Sequence, residues 1–431
     1  MYRSFLLTSS LVIAFAASAQ SYVHQVLVLN EGYYDVSGGQ QVVPVTLGTY
    51  DPISGNYQTV VTIADARYGN HVYVNNGSIY VGADSLLLKY DADTYALLDQ
   101  EVVVGVRSFA FWNDQMIITR GEIGGLPHYV EVRDKNTFDL LYAVSTIDLP
   151  YSCEDVEVVG DMAYIAVGNA FEWGNTVGML GKLDLASGSW AGSVDLGPAG
   201  QNPENVMVRG DAIYTLNNRD FSASSISKVS GVENGGASAA LAFTTGVTSG
   251  GGCAASELMS NGKIYYMEYA QAQMARFDVN TDAVSDTLSN AIAPYGMVDN
   301  PIDQRIYATT TDYVSTGDLH VLAYDGAVLG TTPVGVSAGS LALDVRLSTG
   351  IAPVTAEDLV LYPNPASSEF FVRLPGAGRS TPITITDATG RVVRSELRAL
   401  DTTQRIDVSG FAPGLYIVQV QGSRAVRFTK Q

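Results

Sequence analysis

The chain has 431 residues, of which 24 are basic and 44 acidic, for a net charge of −20. That excess repels phosphate, so nucleic acid and anionic membrane surfaces are excluded as partners. Two cysteines are too few for a disulfide scaffold, and 43 glycines with 25 tyrosines favour strands and turns.

At the start, Arg3 precedes a short apolar run from Phe5 to Phe15 and a small-residue site, Ala17-Ser18-Ala19. These residues read as a secretory signal peptide over 1–19, too short to span a bilayer and lacking a cysteine for lipid attachment. No later stretch is long and apolar enough for a transmembrane segment.

The next segment, "HQVLVLNEGYYDVSGGQ" (24–40), is an apolar strand running into two tyrosines and a glycine pair. Beyond it, strand–turn–strand signals recur: "VYVNNGSIYVG", "FAFWNDQMIIT", "VEVVGDMAYIAV", "VMVRGDAIYTL", "ELMSNGKIYYM" and "MVDNPIDQRIYAT". Third strands with Asp/Gly-rich turns follow, as in "LLLKYDADTYALL" and "ARFDVNTDAV". A period of about 40 to 50 residues with four strands is the pattern of β-propeller blades. Inner strands are predicted near Asn70, Ser108, Glu154, Asn205, Ser256, Gly296 and Ser340, and second strands near Gln25, Ser78, Gln115, Met162, Ala212, Lys263 and Arg305. The fold class is therefore all-β, a seven-bladed β-propeller over 22–346. "SLALDV" (340–345) joins "HQVLVLN" to complete the closing blade and remove the free edges.

In such a blade the first-to-second and third-to-fourth turns share one face, and here they are short and polar. The opposite face carries longer loops with Tyr33, Tyr34, Phe171, Trp173, Phe221, Tyr269 and Tyr313, and connections with Tyr68, Tyr151 and Tyr295. Rigid rings on loops suit a docking surface. The stacking candidates are Tyr33, Tyr34, Tyr68, Phe171, Trp173, Phe221 and Tyr313, with Asn70, Arg107 and Glu204 as polar ligand contacts at the channel mouth. Packing of the loops over one another is the competing explanation for the same rings. Asn30 and Glu31 are read as caps that shape the closing blade.

No histidine pair has metal-ligand spacing, and no nucleophile elbow or phosphate loop is present. Glu154, Glu204 and Glu257 could converge on the channel mouth as a calcium or acid–base cluster, yet the chain is read as non-enzymatic with no cofactor. Cys153 and Cys253 fall two blades apart, and are expected as free or buried thiols.

After a linker at 347–357 the pattern changes to short alternating strands over 358–431, compatible with a small β-sandwich. Tyr362-Pro363-Asn364-Pro365, Asp387 to Gly390 with Arg391, Gly414-Leu415-Tyr416 and the basic end at Arg424 and Lys430 resemble the C-terminal sorting domain of type IX secretion substrates in Bacteroidetes. The resemblance implies the type IX secretion machinery as a partner and a secreted or outer-membrane surface location. "VLVLNEGYY" is similar to the opening of YncE-like, DUF5074-type surface propellers. Some of these bind cobalamin beside an outer-membrane transporter, which implies a small-molecule ligand such as a corrinoid. Two other readings stay open: a propeller adhering to surface protein or glycan, and a metal-dependent propeller lyase or lactonase.

Overall fold

The computed structural model describes residues 20–172, 174–219, 224–234, 239–244, 255–268, 273–288, 292–348, 359–373, 381–398, 403–420 and 425–431. The expected signal peptide lies outside them, as do Trp173, Phe221, Tyr269, Cys253 and most of the expected linker. The chain divides into two compact units, one spanning Tyr22–Arg346 and another holding Leu347–Gln431.

In the larger unit the described residues form seven four-stranded antiparallel sheets and one small hairpin. Sheet S1 joins Ala338–Leu347 to Ser21–Asn30, Val45–Tyr50 and Tyr57–Ile63, so the two ends of the unit share a sheet. S2 to S7 follow in chain order over 69–102, 106–143, 153–195, 207–244, 256–288 and 296–336. Six second strands start at the predicted residues, from Ser78 to Arg305. The first strand of S5 starts later than predicted, at Met207. Just before it, Asn205 Oδ1 accepts the Leu216 N–H (3.0 Å) and the Asn205 amide donates to the Ser256 carbonyl (3.0 Å).

Local chemistry sets the turns. In S2 the two-residue turn Asn76-Gly77 has φ of 50° and 76°, the left-handed pair that bends with the twist of a hairpin. The third strands of S2, S3, S4 and S6 end on an aspartate that folds the chain back on itself. Asp91 Oδ1 accepts the Asp93 and Thr94 N–H groups (3.0 and 2.8 Å), and Asp134 and Asp184 repeat the arrangement.

Between sheets, buried second-strand tyrosines act as latches. The Tyr80, Tyr164 and Tyr214 hydroxyls donate to the Lys135, Val232 and Val279 carbonyls at 3.1, 2.7 and 3.2 Å, and Tyr265 donates to Tyr324. Each acceptor lies in the third-to-fourth connection of the next sheet, so a second-strand tyrosine in S2, S4, S5 and S6 buries its ring and satisfies its hydroxyl across the seam. At the other end, Thr119 Oγ1 accepts the Ser108 N–H and donates to the Glu154 carbonyl (2.6 Å), tying S3 to S4. Thr309 makes the same bridge from S7 to Ala338 of S1, and the Val72 N–H donates to Ser340 Oγ (3.1 Å), tying S2 to S1. Asp155 accepts the Val206 N–H (2.8 Å), and Asp299 accepts the Ser260 N–H (2.7 Å). Every junction in the circuit is hydrogen-bonded, and the last sheet returns to the first.

The opening stretch ends differently from expectation. Tyr33 and Tyr34, expected in an open loop, form a hairpin instead, Tyr33–Asp35 pairing with Gln40–Val43. Gly32 makes the reversal possible: its φ is +75°, and a Cβ there would collide with the Val43 carbonyl. The adjoining Glu31 and Gly32 N–H groups donate to the Ser337 and Val336 carbonyls (2.8 and 3.1 Å). Asn30, fully buried, donates to the Thr46 carbonyl and the Tyr57 hydroxyl (3.2 and 2.8 Å), fixing the point of departure.

In the smaller unit, a three-stranded and a four-stranded sheet enclose one core, with Phe370, Val372 and Ile406 on one side and Ile385, Val418 and Phe428 on the other. The Asp387–Arg391 turn is held by the Arg391 N–H and guanidinium on the Asp387 carboxylate (3.1 and 3.0 Å).

Candidate functional site

First strands line the centre of the larger unit. Residues of S1, S2, S4, S6 and S7, with the approach to S5, enclose a cavity of about 540 Å³. A second space of about 200 Å³ lies against S2, S3 and S4. Asn70 and Glu204 of the predicted contact set lie on the wall of the larger cavity, as do His71, Asp155, Asn205, Ser256 and Glu257.

At the loop-bearing end, the predicted contacts Tyr68, Arg107 and Phe171 come together. Arg107 Nε donates to Glu154 Oε2 (2.8 Å), and its guanidinium lies 5.3 Å from the Phe171 ring centroid. Tyr68 lies in the field of the same guanidinium. Its own ring is covered by Arg67, 5.2 Å away, which grips Asp84 with two hydrogen bonds (2.8 and 2.6 Å) and reaches Glu122 (3.0 Å). Sequence reasoning missed the Arg67–Asp84–Glu122 network, because its members stand 17 and 55 positions apart.

Two predicted contacts are partly committed to structure. Asn70 Oδ1 accepts the Asp84 N–H (3.0 Å), which caps the first and second strands of S2, and Glu204 accepts from the Asn218 amide. Tyr313, 51 % exposed with φ of 70°, stands on a turn and meets Tyr295 edge-on at 5.3 Å. Tyr295 lines the cavity and donates to Glu31 Oε1 (2.6 Å). Glu31 thus joins the mouth itself, in addition to the capping role expected of it.

The electrostatics of the mouth and channel are unusual. Burial pushes the Glu31 carboxyl up to about 7, against the opposing pull of the Tyr295 hydroxyl and the Arg107 charge. Burial also lifts Glu204 to about 8, partly offset by the Asn218 hydrogen bond. Glu257 rises to about 8 through burial and the nearby Glu157, Asp155 and Asp299 carboxylates, and Glu157 to about 8 through burial and Asp155. Asp155 is also raised by burial, despite accepting from the Ser108 hydroxyl (2.7 Å) and the Val206 N–H. His71, with its charge disfavoured by burial, falls to about 4. Near neutral pH the channel wall therefore presents protonated carboxyls able to donate hydrogen bonds. Among the described residues no three His, Cys, Asp or Glu side chains converge to hold a metal ion. Cys153 is a buried free thiol.

Residues 360–431 match the family model of the secretion system C-terminal sorting domain. The chain therefore carries a type IX sorting tail that directs it to the cell surface, and no helix among the described residues is long and apolar enough to cross a membrane. Beta-agarase A of Zobellia galactanivorans is 35 % identical over 74 residues, which is 16 % of this chain and 14 % of that protein. The chain thus spans about a seventh of that relative's length. Among solved structures, a selenium-binding protein from Sulfolobus tokodaii is similar with a TM-score of 0.54 and 12 % identity, over 78 % of this chain and 95 % of that one. Hydrazine synthase of Kuenenia stuttgartiensis has a TM-score of 0.51 and 11 % identity, over 66 % of this chain and 97 % of that one. The extracellular domain of the one component system BT4673 from B. thetaiotaomicron gives 0.50 and 10 %, over 94 % of this chain and 57 % of that one. At such identities the likeness concerns the fold alone, an all-β, propeller-like arrangement of four-stranded antiparallel sheets.

Proposed function

We propose that this protein is an exported seven-bladed β-propeller of the YncE-like, DUF5074-type group that binds a ligand at its channel mouth and catalyses no reaction. The blade count rests on the hydrogen-bonded circuit of seven sheets. The binding reading rests on one observation above all: Tyr68, Arg107 and Phe171 cluster at the loop-bearing end, beside a cavity of about 540 Å³ that carries Asn70, Glu204 and Tyr295. Aromatic faces with a few polar groups are what a bounded small-molecule site requires. The specific form is capture of a corrinoid for uptake through the outer membrane. Its flat macrocycle would lie on the rings, and its amide side chains would meet Arg107 and the protonated carboxyls of Glu31 and Glu204. The sorting tail favours a second reading on the same face, adhesion to a surface protein or glycan. The metal-dependent lyase or lactonase reading has no comparable support.

The test is titration of the intact chain with cyanocobalamin, followed by calorimetry and visible absorbance. One-to-one binding is expected, weakened about tenfold or more in Arg107→Ala and Phe171→Ala, each tenfold equalling about 1.4 kcal/mol. Absence of heat and of spectral change with folded protein would remove the corrinoid form and leave the adhesion reading.

A further inference from the structure

In the channel the two cavities share a stretch of wall whose chemistry is divided. One side is aromatic: His71 and Tyr73 of S2 and Phe109 and Phe111 of S3 line it, with Tyr73 and Phe111 5.2 Å apart and His71 edge-on to Phe109 at 4.8 Å. Tyr73 is 40 % exposed although it sits on a first strand, so its open surface faces the channel. The other side is acidic: Asp155 and Glu157 of S4 and, across the larger cavity, Glu257 of S6.

Among the described residues nothing basic offsets these acids. The charges acting on Glu257 are the Glu157, Asp155 and Asp299 carboxylates, and the charge acting on Glu157 is that of Asp155. Arg107 at the mouth is engaged by Glu154, and its field reaches Glu31 and Glu204. The acids are not gathered at a point, since among the described residues no three ligating side chains converge on a metal position. A diffuse cation fits where a metal ion does not: its charge can be shared by separated carboxylates while its methyl or methylene groups lie against aromatic faces.

We infer that the channel of the larger unit is a binding compartment for a compact organic cation of the alkylammonium class, held between Tyr73 on one wall and Glu157 and Glu257 on the other. The site centres on residues other than Tyr68, Arg107 and Phe171 and does not depend on the corrinoid reading. A bound ammonium favours the ionised carboxylates, so at pH 7.5 its entry releases protons from the wall. The titratable groups facing it are Asp155 and Glu157 from S4, Glu257 from S6, Glu204 from the approach to S5, His71 and Tyr73 from S2 and Tyr295 beside S7, with Asp299 of S7 acting on Glu257 through its charge.

The intact chain is titrated by calorimetry with choline, tetramethylammonium, ethanolamine and putrescine, with sodium and calcium chloride as reference salts. Saturable binding of at least one amine is expected. It should weaken about tenfold in Glu257→Gln and in Tyr73→Leu, each checked for an unchanged unfolding transition. The apparent enthalpy at pH 7.5 should also change between phosphate and Tris buffers, which reports proton release without any variant. Absence of saturable binding by all four amines, or binding without proton release, would overturn the proposal. Calcium binding tighter than that of every amine would overturn it too.

Discussion

Between pH 5.5 and pH 8.5 the unfolding temperature of the larger unit is expected to fall by roughly 5 °C or more at constant ionic strength. Glu31 is raised to about 7, and Glu157, Glu204 and Glu257 to about 8, all chiefly by burial. In the unfolded chain these groups ionise near 4.5. Between that value and 8 the folded state therefore binds more protons than the unfolded one, and stability falls as pH rises. Each tenfold difference in proton affinity between the two states corresponds to about 1.4 kcal/mol. The carboxyls share one channel and Glu157 is open to its solvent, so the combined loss is on the order of 3 kcal/mol, well below a simple sum. His71 acts in the opposite sense: held near 4 in the fold, it costs stability as pH falls from 6.5 towards 4. Four carboxyls outweigh one imidazole, so stability should keep rising as pH falls from 8 towards about 4.5, with His71 only reducing the slope. Calorimetric melts of the intact chain check this, and the Glu157→Gln/Glu204→Gln/Glu257→Gln variant should flatten the alkaline limb. A profile that rises from pH 5.5 to 8.5 would mean that these carboxyls are ionised in the fold.

The second large effect is at the seams between sheets. Tyr164 is fully buried, and its hydroxyl donates to the Val232 carbonyl across the S4–S5 seam. Tyr164→Ala removes a ring from a close-packed interface and is expected to cost about 3–5 kcal/mol. Tyr164→Phe keeps the ring and leaves one buried carbonyl short of a donor, for about 1 kcal/mol. Urea unfolding of the two variants separates packing from hydrogen bonding. Equal losses would assign the whole effect to the hydroxyl, and losses below about 1 kcal/mol in both would show that the seam does not hold the circuit together.

These two effects divide along the line of what the sequence shows. Asn76-Gly77, the third-strand aspartates and the repeated Ile-Tyr pairs act over a few residues, and each announces a turn or a strand face by itself. They placed six of the second strands at their observed starts. The Tyr33–Tyr34 hairpin was missed because a three-residue strand paired to Gln40–Val43 has no periodicity to read. The site was legible only in part. Ring types and channel polarity could be inferred from the repeat, and Arg107 with Phe171 is the pair it brings together. Pairings across the circuit were not legible: Arg107 with Glu154 stands 47 positions apart, and Glu31 with Tyr295 stands 264 apart. Tyr73 and Glu157 had the alternation of ordinary first-strand residues, and only closure of the sheets turns them toward one space.

Hydroxyl-radical footprinting of the intact chain tests the central claim, that the loop-bearing end is the binding surface. It would be carried out with cyanocobalamin and, separately, with a detergent extract of the outer membrane. Protection confined to Tyr34, Tyr68, Phe171 and Tyr313 in either mixture is the expected result, and the mixture that gives it distinguishes nutrient capture from adhesion. Protection of the outer strands instead, around Leu97-Leu98 and Leu140-Leu141, with the rim rings unchanged, would contradict it.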